Sequence, residues 1–232
     1  MMLAASCSRY AVICVSLLAI CSSLNAQSTG PTQAKNSQGQ SELGLYAHAQ
    51  VTVYVVDGPN GDFTNGTNGT VAQVATAATN VTNAYGLAAP ITVNTDEVPD
   101  TVSGQPYTPG DNWTGASVTT PINVTMQATQ AQIDNMGCTG ASACTGWTTD
   151  STTLTVTSSL TLVLPSVISD GGLPPVMAHE DGHGFMTLND CTSACNSVMN
   201  LPITETSPTA PTPADNAIVN KQQSCSCNVC SN

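Results

Sequence analysis

The chain has 232 residues, which suits one ordinary domain with tails. It carries 3 Lys or Arg against 15 Asp or Glu, for a formal net charge of −12, so it cannot build the basic patch that binds nucleic acid or anionic lipid. Charged residues make up only 8% of the chain, which excludes a helical bundle or a coiled coil, since both need Glu and Lys in quantity.

Residues 1–26 have the layout of a secretory signal peptide. One cation, Arg9, precedes a short apolar run, and a Ser-rich stretch ends at Ala26. We expect cleavage after Ala26, a secreted extracellular product and no stable membrane association afterwards, with the periplasm or the cell surface as the alternative. A lipoprotein would use Cys21 instead, but Ile20 before it is bulky where a small residue is required.

Residues 27–45 are mostly Ser, Gln, Gly and Asn, a composition that predicts a flexible leader before a folded domain over 46–232. Apolar and small residues recurring at three and four predict a helix from about Thr70 to Gly86. A last helix is predicted over Ala214–Gln223, capped near Asp215. Short β-branched, apolar or alternating runs predict strands at 51–56, 91–93, 122–126, 152–157 and 160–164.

Seven of the 10 cysteines lie beyond the signal peptide, and in an exported protein they predict disulfide bonds. The close pairs Cys138/Cys144 and Cys191/Cys195 could each close a small loop, the first rich in Gly, Ala and Ser. The odd count leaves one cysteine free or paired with another chain. The three cysteines of the tail, 225–230, could instead bind a metal, although no fourth ligand lies nearby.

Two of the three histidines lie in the stretch 179–183, which reads His-Glu-Asp-Gly-His. On a helix, positions i and i+4 share a face, so His179 and His183 can bind one ion, and neutral imidazole is a good zinc ligand. Glu180 is placed to take a proton from a metal-bound water. The prolines just upstream are typical of a helix start. A surface helix with a fortuitous histidine pair is the alternative, and His48, without a ligand-like partner, is expected to be structural.

This stretch and the sequence after it resemble the metzincin metallopeptidases, in particular their secreted, matrixin-like bacterial members. Those families carry His-Glu-x-x-His-x-x-Gly-x-x-His/Asp, followed by a methionine turn beneath the metal. His179 and His183 match the first two zinc ligands, and Glu180 matches the catalytic glutamate. The residues Ser197-Val198-Met199 look like the methionine turn, with Met199 as its apolar floor.

The chain departs from the family pattern just after the second histidine. Without gaps, the family glycine falls at Met186 and the third ligand at Asn189, which is a poor zinc ligand. Asp190 has the right chemistry, and a one-residue insertion in the bend over 184–187 would bring it into place. We therefore predict Asp190 as the third ligand, with Asn189 and the more distant Glu205 as alternatives.

The resemblance implies Zn²⁺ as cofactor, a protein or peptide as substrate, and peptide-bond hydrolysis by a zinc-bound water that Glu180 activates. It also implies an α+β, metzincin-like fold: a twisted mixed sheet with a substrate-binding edge strand, a helix in the N-terminal half, a zinc-binding active-site helix, and a small C-terminal subdomain. The second hypothesis is a non-catalytic exported binding protein or adhesin with a degenerate peptidase fold. The missing glycine favours the second hypothesis, whereas the intact glutamate favours the endopeptidase.

Overall fold

The computed structural model describes residues 30–48, 51–56, 70–84, 92–94 and 121–224. The predicted signal peptide and the three cysteines of the tail lie outside these residues. Among the helices of the described residues, none is both long enough and apolar enough to span a membrane.

A five-stranded mixed sheet lies at the centre of the described residues, in the order β2-β1-β3-β5-β4. Strands β1, β2, β3 and β5 are parallel to one another, and β4 runs antiparallel to β5 at one edge. With the helices packed on it, this is the mixed sheet of the predicted α+β class. The strands are β1 (Thr52–Val56), β2 (Thr92–Asn94), β3 (Ile122–Gln127), β4 (Ala143–Thr149) and β5 (Val156–Val163).

Two longer helices, α1 and α4, contact each other, and α4 also contacts β4 and β5. Val53 of β1 and Val163 of β5 belong to the same buried cluster as Met177 and Phe185 of α4. A second, smaller cluster uses Val124 and other strand residues, together with Ile133 of α2. The helices are α1 (Thr70–Ala84), α2 (Gln130–Asn135), α3 (Pro165–Ser169), α4 (Leu173–Met186) and α5 (Pro213–Ser224).

The sequence predicts two strands, at 152–157 and 160–164, and this is wrong. The structure has a single strand there, β5, and residues 151–153 form a turn before it. The side chain of Asp150 accepts hydrogen bonds from the backbone N–H groups of Thr152 and Thr153, and Leu154 is left-handed with φ 55°. An aspartate that accepts hydrogen bonds from the backbone two and three residues later is typical of a turn. The alternation of apolar and polar residues over 152–157 predicts a strand instead.

Strand β4 was not predicted, because the stretch before it is rich in small residues and Gly146 lies in the middle of the strand. Its order comes from pairing with β5 along its length, which is a long-range interaction. The predicted disulfide Cys138–Cys144 is confirmed and joins the loop after α2 to this strand. The second predicted disulfide, Cys191–Cys195, is also confirmed.

The part of the predicted flexible leader that the structure describes, 30–45, is ordered by pairing with the rest of the chain. Isolated antiparallel bridges join Gln33 to Leu188 and Lys35 to Ser41, and a parallel bridge joins Leu43 to Thr155. We call residues 31–43 the N-terminal hairpin. Backbone hydrogen bonds such as that from Ala34 N–H to the Thr187 carbonyl hold this segment, and composition carries no information about such bonds.

Candidate metal centre

Helix α4 carries both histidines of the predicted site and is buried around most of its circumference. Prolines stand in its first turn, where a missing N–H breaks no hydrogen bond, and Thr187 ends it in the left-handed conformation. Apart from Pro174 and His183, every residue of α4 is buried. A helix surrounded in this way holds its side chains in fixed directions, which suits a site that needs two rings aimed at one point.

The side chains of His179, His183 and Asp190 converge on one point and are placed to hold a metal ion. The Nε2 atoms of His179 and His183 lie 3.2 Å and 3.5 Å from Oδ1 of Asp190. Ligand atoms from all three residues lie within 4.8 Å of one another. Two ligands about 2.1 Å from a tetrahedral ion are about 3.4 Å apart, so these distances fit a single small cation such as Zn²⁺.

Backbone carbonyls orient both imidazole rings. Nδ1 of His179 lies 2.9 Å from the carbonyl oxygen of Val198, and Nδ1 of His183 lies 2.7 Å from that of Leu188. Because a carbonyl oxygen only accepts, each Nδ1 carries the hydrogen. With Nδ1 bonded in this way, the Nε2 atom of each ring faces Asp190, which is the arrangement by which metal-binding histidines are usually fixed.

The predicted methionine turn lies directly against α4. Val198 supplies the carbonyl that orients His179, and the fully buried Met199 packs its sulfur against Gly182, where a β-carbon would overlap it. Asp215 at the start of α5 is buried and accepts hydrogen bonds from the hydroxyl of Ser197 and the N–H of Val198.

Asp215 therefore does more than its predicted role near the helix cap. Its carboxylate accepts the backbone N–H of Thr212, 2.7 Å away, at the start of α5, and it also holds the methionine turn. The sequence predicts only that α5 is capped near Asp215. Its second role depends on a contact across 17 residues, which local spacing does not reveal.

The register of the third ligand follows from where α4 ends. The resemblance puts a glycine at Met186, yet the left-handed residue is Thr187, with φ 48°. Left-handed backbone normally favours glycine, so Thr187 stands where a glycine would be expected and turns the chain out of the helix. After this turn, Asp190 rather than Asn189 faces the histidines.

The other residues considered for the site lie elsewhere. Asn189 directs its side-chain amide to the hydroxyl of Thr32, 3.2 Å away. Glu205 is exposed in the loop before α5. His48 is buried with its Nε2 2.6 Å from the carbonyl oxygen of Val156, outside the histidine–aspartate group.

Three acidic and basic groups here have displaced pKa values. Burial by itself lowers the pKa of His179, but the hydrogen bond to Asp190 and the charge of Glu180 outweigh it and raise that pKa. The hydrogen bond with His179 lowers the pKa of Asp190 against the opposing effect of burial. Burial first, and then the charge of Glu180, raise the pKa of Asp181 well above its ordinary value.

The sequence analysis did not predict two residues that lie near the site. The indole of Trp147 on β4 stacks on the ring of His183, with centroids 6.5 Å apart and 18° between the planes. Its Nε1 donates a hydrogen bond of 2.8 Å to the carboxylate of Glu42 in the N-terminal hairpin. Tryptophan occurs only twice in the chain, which is a weak indication that Trp147 has a specific role. Nothing in the sequence indicates such a role for Glu42.

The group offers three protein ligands to one cation, the number found in catalytic zinc sites that keep a position open. Glu180, next to the first of them, is buried, and its Oε2 has no hydrogen-bond partner among the described residues. The arrangement can therefore bind a divalent metal beside a carboxylate that is free to accept a proton. Comparisons of the chain with protein-family models, curated proteins and solved structures found no match.

Proposed function

We propose that this protein is a secreted, zinc-dependent endopeptidase of the metzincin type. The observation that carries the proposal is the convergence of His179, His183 and Asp190 on one point, with Glu180 beside the first histidine. Both rings have Nδ1 on a backbone carbonyl, which is one of the ways in which zinc-binding histidines are commonly oriented. A structural zinc site would have no use for the adjacent base.

His179, His183 and Asp190 would hold the zinc ion. When bound, zinc supplies Lewis acidity and lowers the pKa of a coordinated water toward about 7. Glu180 accepts the proton of the attacking water at its carboxylate and returns it to the nitrogen of the leaving amine. The unpartnered Oε2 of Glu180 supports this role, because no hydrogen bond from a described residue has to be broken before the carboxylate can act.

A peptide substrate is supported by the position of β4. The metzincin resemblance implies a substrate-binding strand at a sheet edge, and β4 is the antiparallel edge strand of this sheet. It lies beside the metal centre, because Trp147 of β4 stacks on His183. An extended peptide chain can add to a strand edge through main-chain hydrogen bonds, largely independent of its side chains.

Export from the cytoplasm is supported by the two disulfides, since such bonds persist in oxidising compartments. Together with the predicted signal peptide, they support an extracellular location. Its partner there is a protein or peptide substrate rather than nucleic acid.

The direct test is zinc content and peptide hydrolysis in the same preparation of the mature protein. We expect about one zinc per chain, hydrolysis of an unstructured protein such as casein, loss of activity with a chelator, and recovery on adding Zn²⁺. Zinc binding without hydrolysis of casein or a peptide library would support the non-catalytic binding protein instead. Absence of zinc from protein purified without chelators would contradict both the metal centre and the activity.

A further inference from the structure

The N-terminal hairpin pairs with the segment that leads from α4 to Asp190. The N–H of Ala34 donates to the carbonyl of Thr187, and the N–H of Asn189 donates to the carbonyl of Thr32, each at 2.7 Å. These two hydrogen bonds flank Leu188, whose own carbonyl orients the ring of His183. The hairpin therefore holds the backbone segment 187–189, which immediately precedes Asp190. The carbonyl of Leu188 in this segment orients the ring of His183.

Thr187 is the second point of attachment. It adopts a left-handed conformation that a β-branched residue rarely takes, so the surrounding structure has to hold it there. Its hydroxyl lies 2.7 Å from the carbonyl oxygen of Glu42, to which it can donate, and the side-chain amide of Gln33 donates to the same carbonyl. The turn that gives Asp190 its register is thus anchored on the hairpin.

Glu42 links the hairpin to the metal centre along a second route. Its carboxylate accepts the indole N–H of Trp147, and that indole stacks on His183. The backbone carbonyl of Glu42 therefore contacts the turn at Thr187, and its carboxylate contacts the indole of Trp147 beside His183.

The hairpin contributes little apolar surface to the core. Within 31–43, the buried residues are Pro31 and Ala34, and the rest are half-buried or exposed. Several of its hydrogen bonds join it to the segment 187–189, and one joins it to Trp147. Hydrogen bonds are directional, so such contacts specify geometry more than they add to hydrophobic burial.

We propose that the N-terminal hairpin is a positioning element of the metal centre, in which Thr187 and Glu42 hold Asp190 and the ring of His183 in the geometry that binds a divalent cation. This inference rests on the proposed zinc site. It makes the affinity for the metal depend on a segment that contributes no ligand.

The experiment is a Zn²⁺ titration of the chelator-treated mature protein against a competing dye, paired with the visible absorption spectrum of the Co²⁺ form. Thr187→Val removes the hydroxyl at constant shape, and Glu42→Ala removes the acceptor of the indole N–H. Each should weaken Zn²⁺ binding about tenfold or more and shift the Co²⁺ spectrum, as substitutions behind metal ligands usually do. Thr187→Ser and Glu42→Gln keep a donor and an acceptor, so both should bind Zn²⁺ nearly as the unmodified protein does.

Gln40→Ala is the matched control, because Gln40 is exposed in the same hairpin. Its side chain accepts a hydrogen bond from the side chain of Asn36, which also lies in the hairpin. It should leave Zn²⁺ affinity unchanged. Trp147→Phe gives an independent second variant, since it keeps a stacking ring but loses the N–H that reaches Glu42, and it should weaken binding as Glu42→Ala does.

The outcomes separate this inference from the proposed function. If Thr187→Val, Glu42→Ala and Trp147→Phe lower the unfolding temperature of the metal-free protein but bind Zn²⁺ normally, the hairpin is merely structural and the inference is overturned. If the unmodified protein binds no Zn²⁺, the proposed metal centre itself fails and the inference fails with it. Selective weakening, rescued by Thr187→Ser and Glu42→Gln, supports it.

Discussion

The sulfur of Met199 occupies the space that a β-carbon on residue 182 would fill, so the predicted methionine turn and helix α4 touch at a glycine. Gly182 lies between His179 and His183, and a glycine inside a helix lowers its stability by about 1 kcal/mol relative to alanine. The close approach of Met199 explains the presence of a glycine there in spite of that loss.

Gly182→Ala should therefore destabilise the protein although it improves helix propensity. The added methyl group forces Met199 to move, and overpacking of this kind lowers the free energy of unfolding by about 1–3 kcal/mol. Denaturant unfolding of the metal-free protein measures the change. In a double-mutant cycle, Met199→Ala should relieve part of the loss; purely additive effects would show that the two residues do not compete for space.

Zinc binding should distinguish the three candidates for the third ligand. Asp190→Ala removes one of three ligands and should weaken Zn²⁺ binding most, whereas Asn189→Ala and Glu205→Ala should do much less. His183→Ala should abolish binding and serves as the reference. A larger loss with Asn189→Ala or Glu205→Ala than with Asp190→Ala would refute the register inferred from Thr187.

Glu180→Gln should separate the catalytic base from the ligands. The substitution keeps the shape of the side chain and removes its basic carboxylate, so zinc should be retained at about one ion per chain. Hydrolysis should fall at least about a hundredfold, the usual contribution of general acid–base catalysis. Normal activity, or loss of zinc in this variant, would contradict the assigned role.

Asp181→Asn should make the stability of the metal-free protein less sensitive to pH. Burial raises the pKa of Asp181 above its ordinary 3.8, so the folded state binds a proton that the unfolded state releases, and stability falls as pH rises above about 4. The variant lacks this loss and should gain stability relative to the parent as pH rises above about 4. The side chain of Asp181 has no hydrogen-bond partner among the described residues, so no bond opposes the gain.

Denaturant unfolding at each pH, with a chelator present, measures this difference. His179, whose pKa is also raised, loses its stabilising effect as pH rises through that value, but it does so in parent and variant alike. Glu205→Gln controls for the removal of one negative charge, because Glu205 is exposed. A parent–variant difference that stays constant with pH would exclude Asp181 as its cause.

The two disulfides should differ in their effect on the metal. Cys191–Cys195 directly follows Asp190, and the N–H of Cys191 donates to the carbonyl of Met199 at 3.0 Å, so this loop joins Asp190 to the predicted methionine turn. Replacing both of its cysteines by serine should weaken Zn²⁺ binding about tenfold.

The matched control replaces Cys138 and Cys144 by serine. That bond links the loop after α2 to β4 and closes a loop of similar length, with a sequence separation of 6 against 4. It should lower the unfolding temperature with little change in Zn²⁺ affinity. Equal effects of the two double substitutions on zinc would show that only global stability is at work.

The sequence predicted the residues of the candidate metal centre better than it predicted the structure around them. Histidines four apart share a helix face wherever the helix lies, so His179 and His183 could be paired without knowledge of the fold. Asp190 needed a further argument, because its position depends on the residue at which α4 ends. Thr187, which directly follows α4, carries no local signal for a left-handed backbone. The hairpin that contacts it lies more than 140 positions away in the sequence, as the hydrogen bond between Thr187 and Glu42 shows.

By itself, then, the sequence determined the parts that rest on local spacing: the α+β class, the histidine pair with its glutamate, the two short-range disulfides and the approximate bounds of α1 and α5. The tertiary structure decided the strand order, the pairing that makes β4 an edge strand, the stacking of Trp147 on His183 and the attachment of the polar N-terminal segment to Thr187. The physical reason is that periodicity and composition report where apolar side chains go, whereas these features depend on hydrogen bonds and ring contacts between residues far apart in the chain.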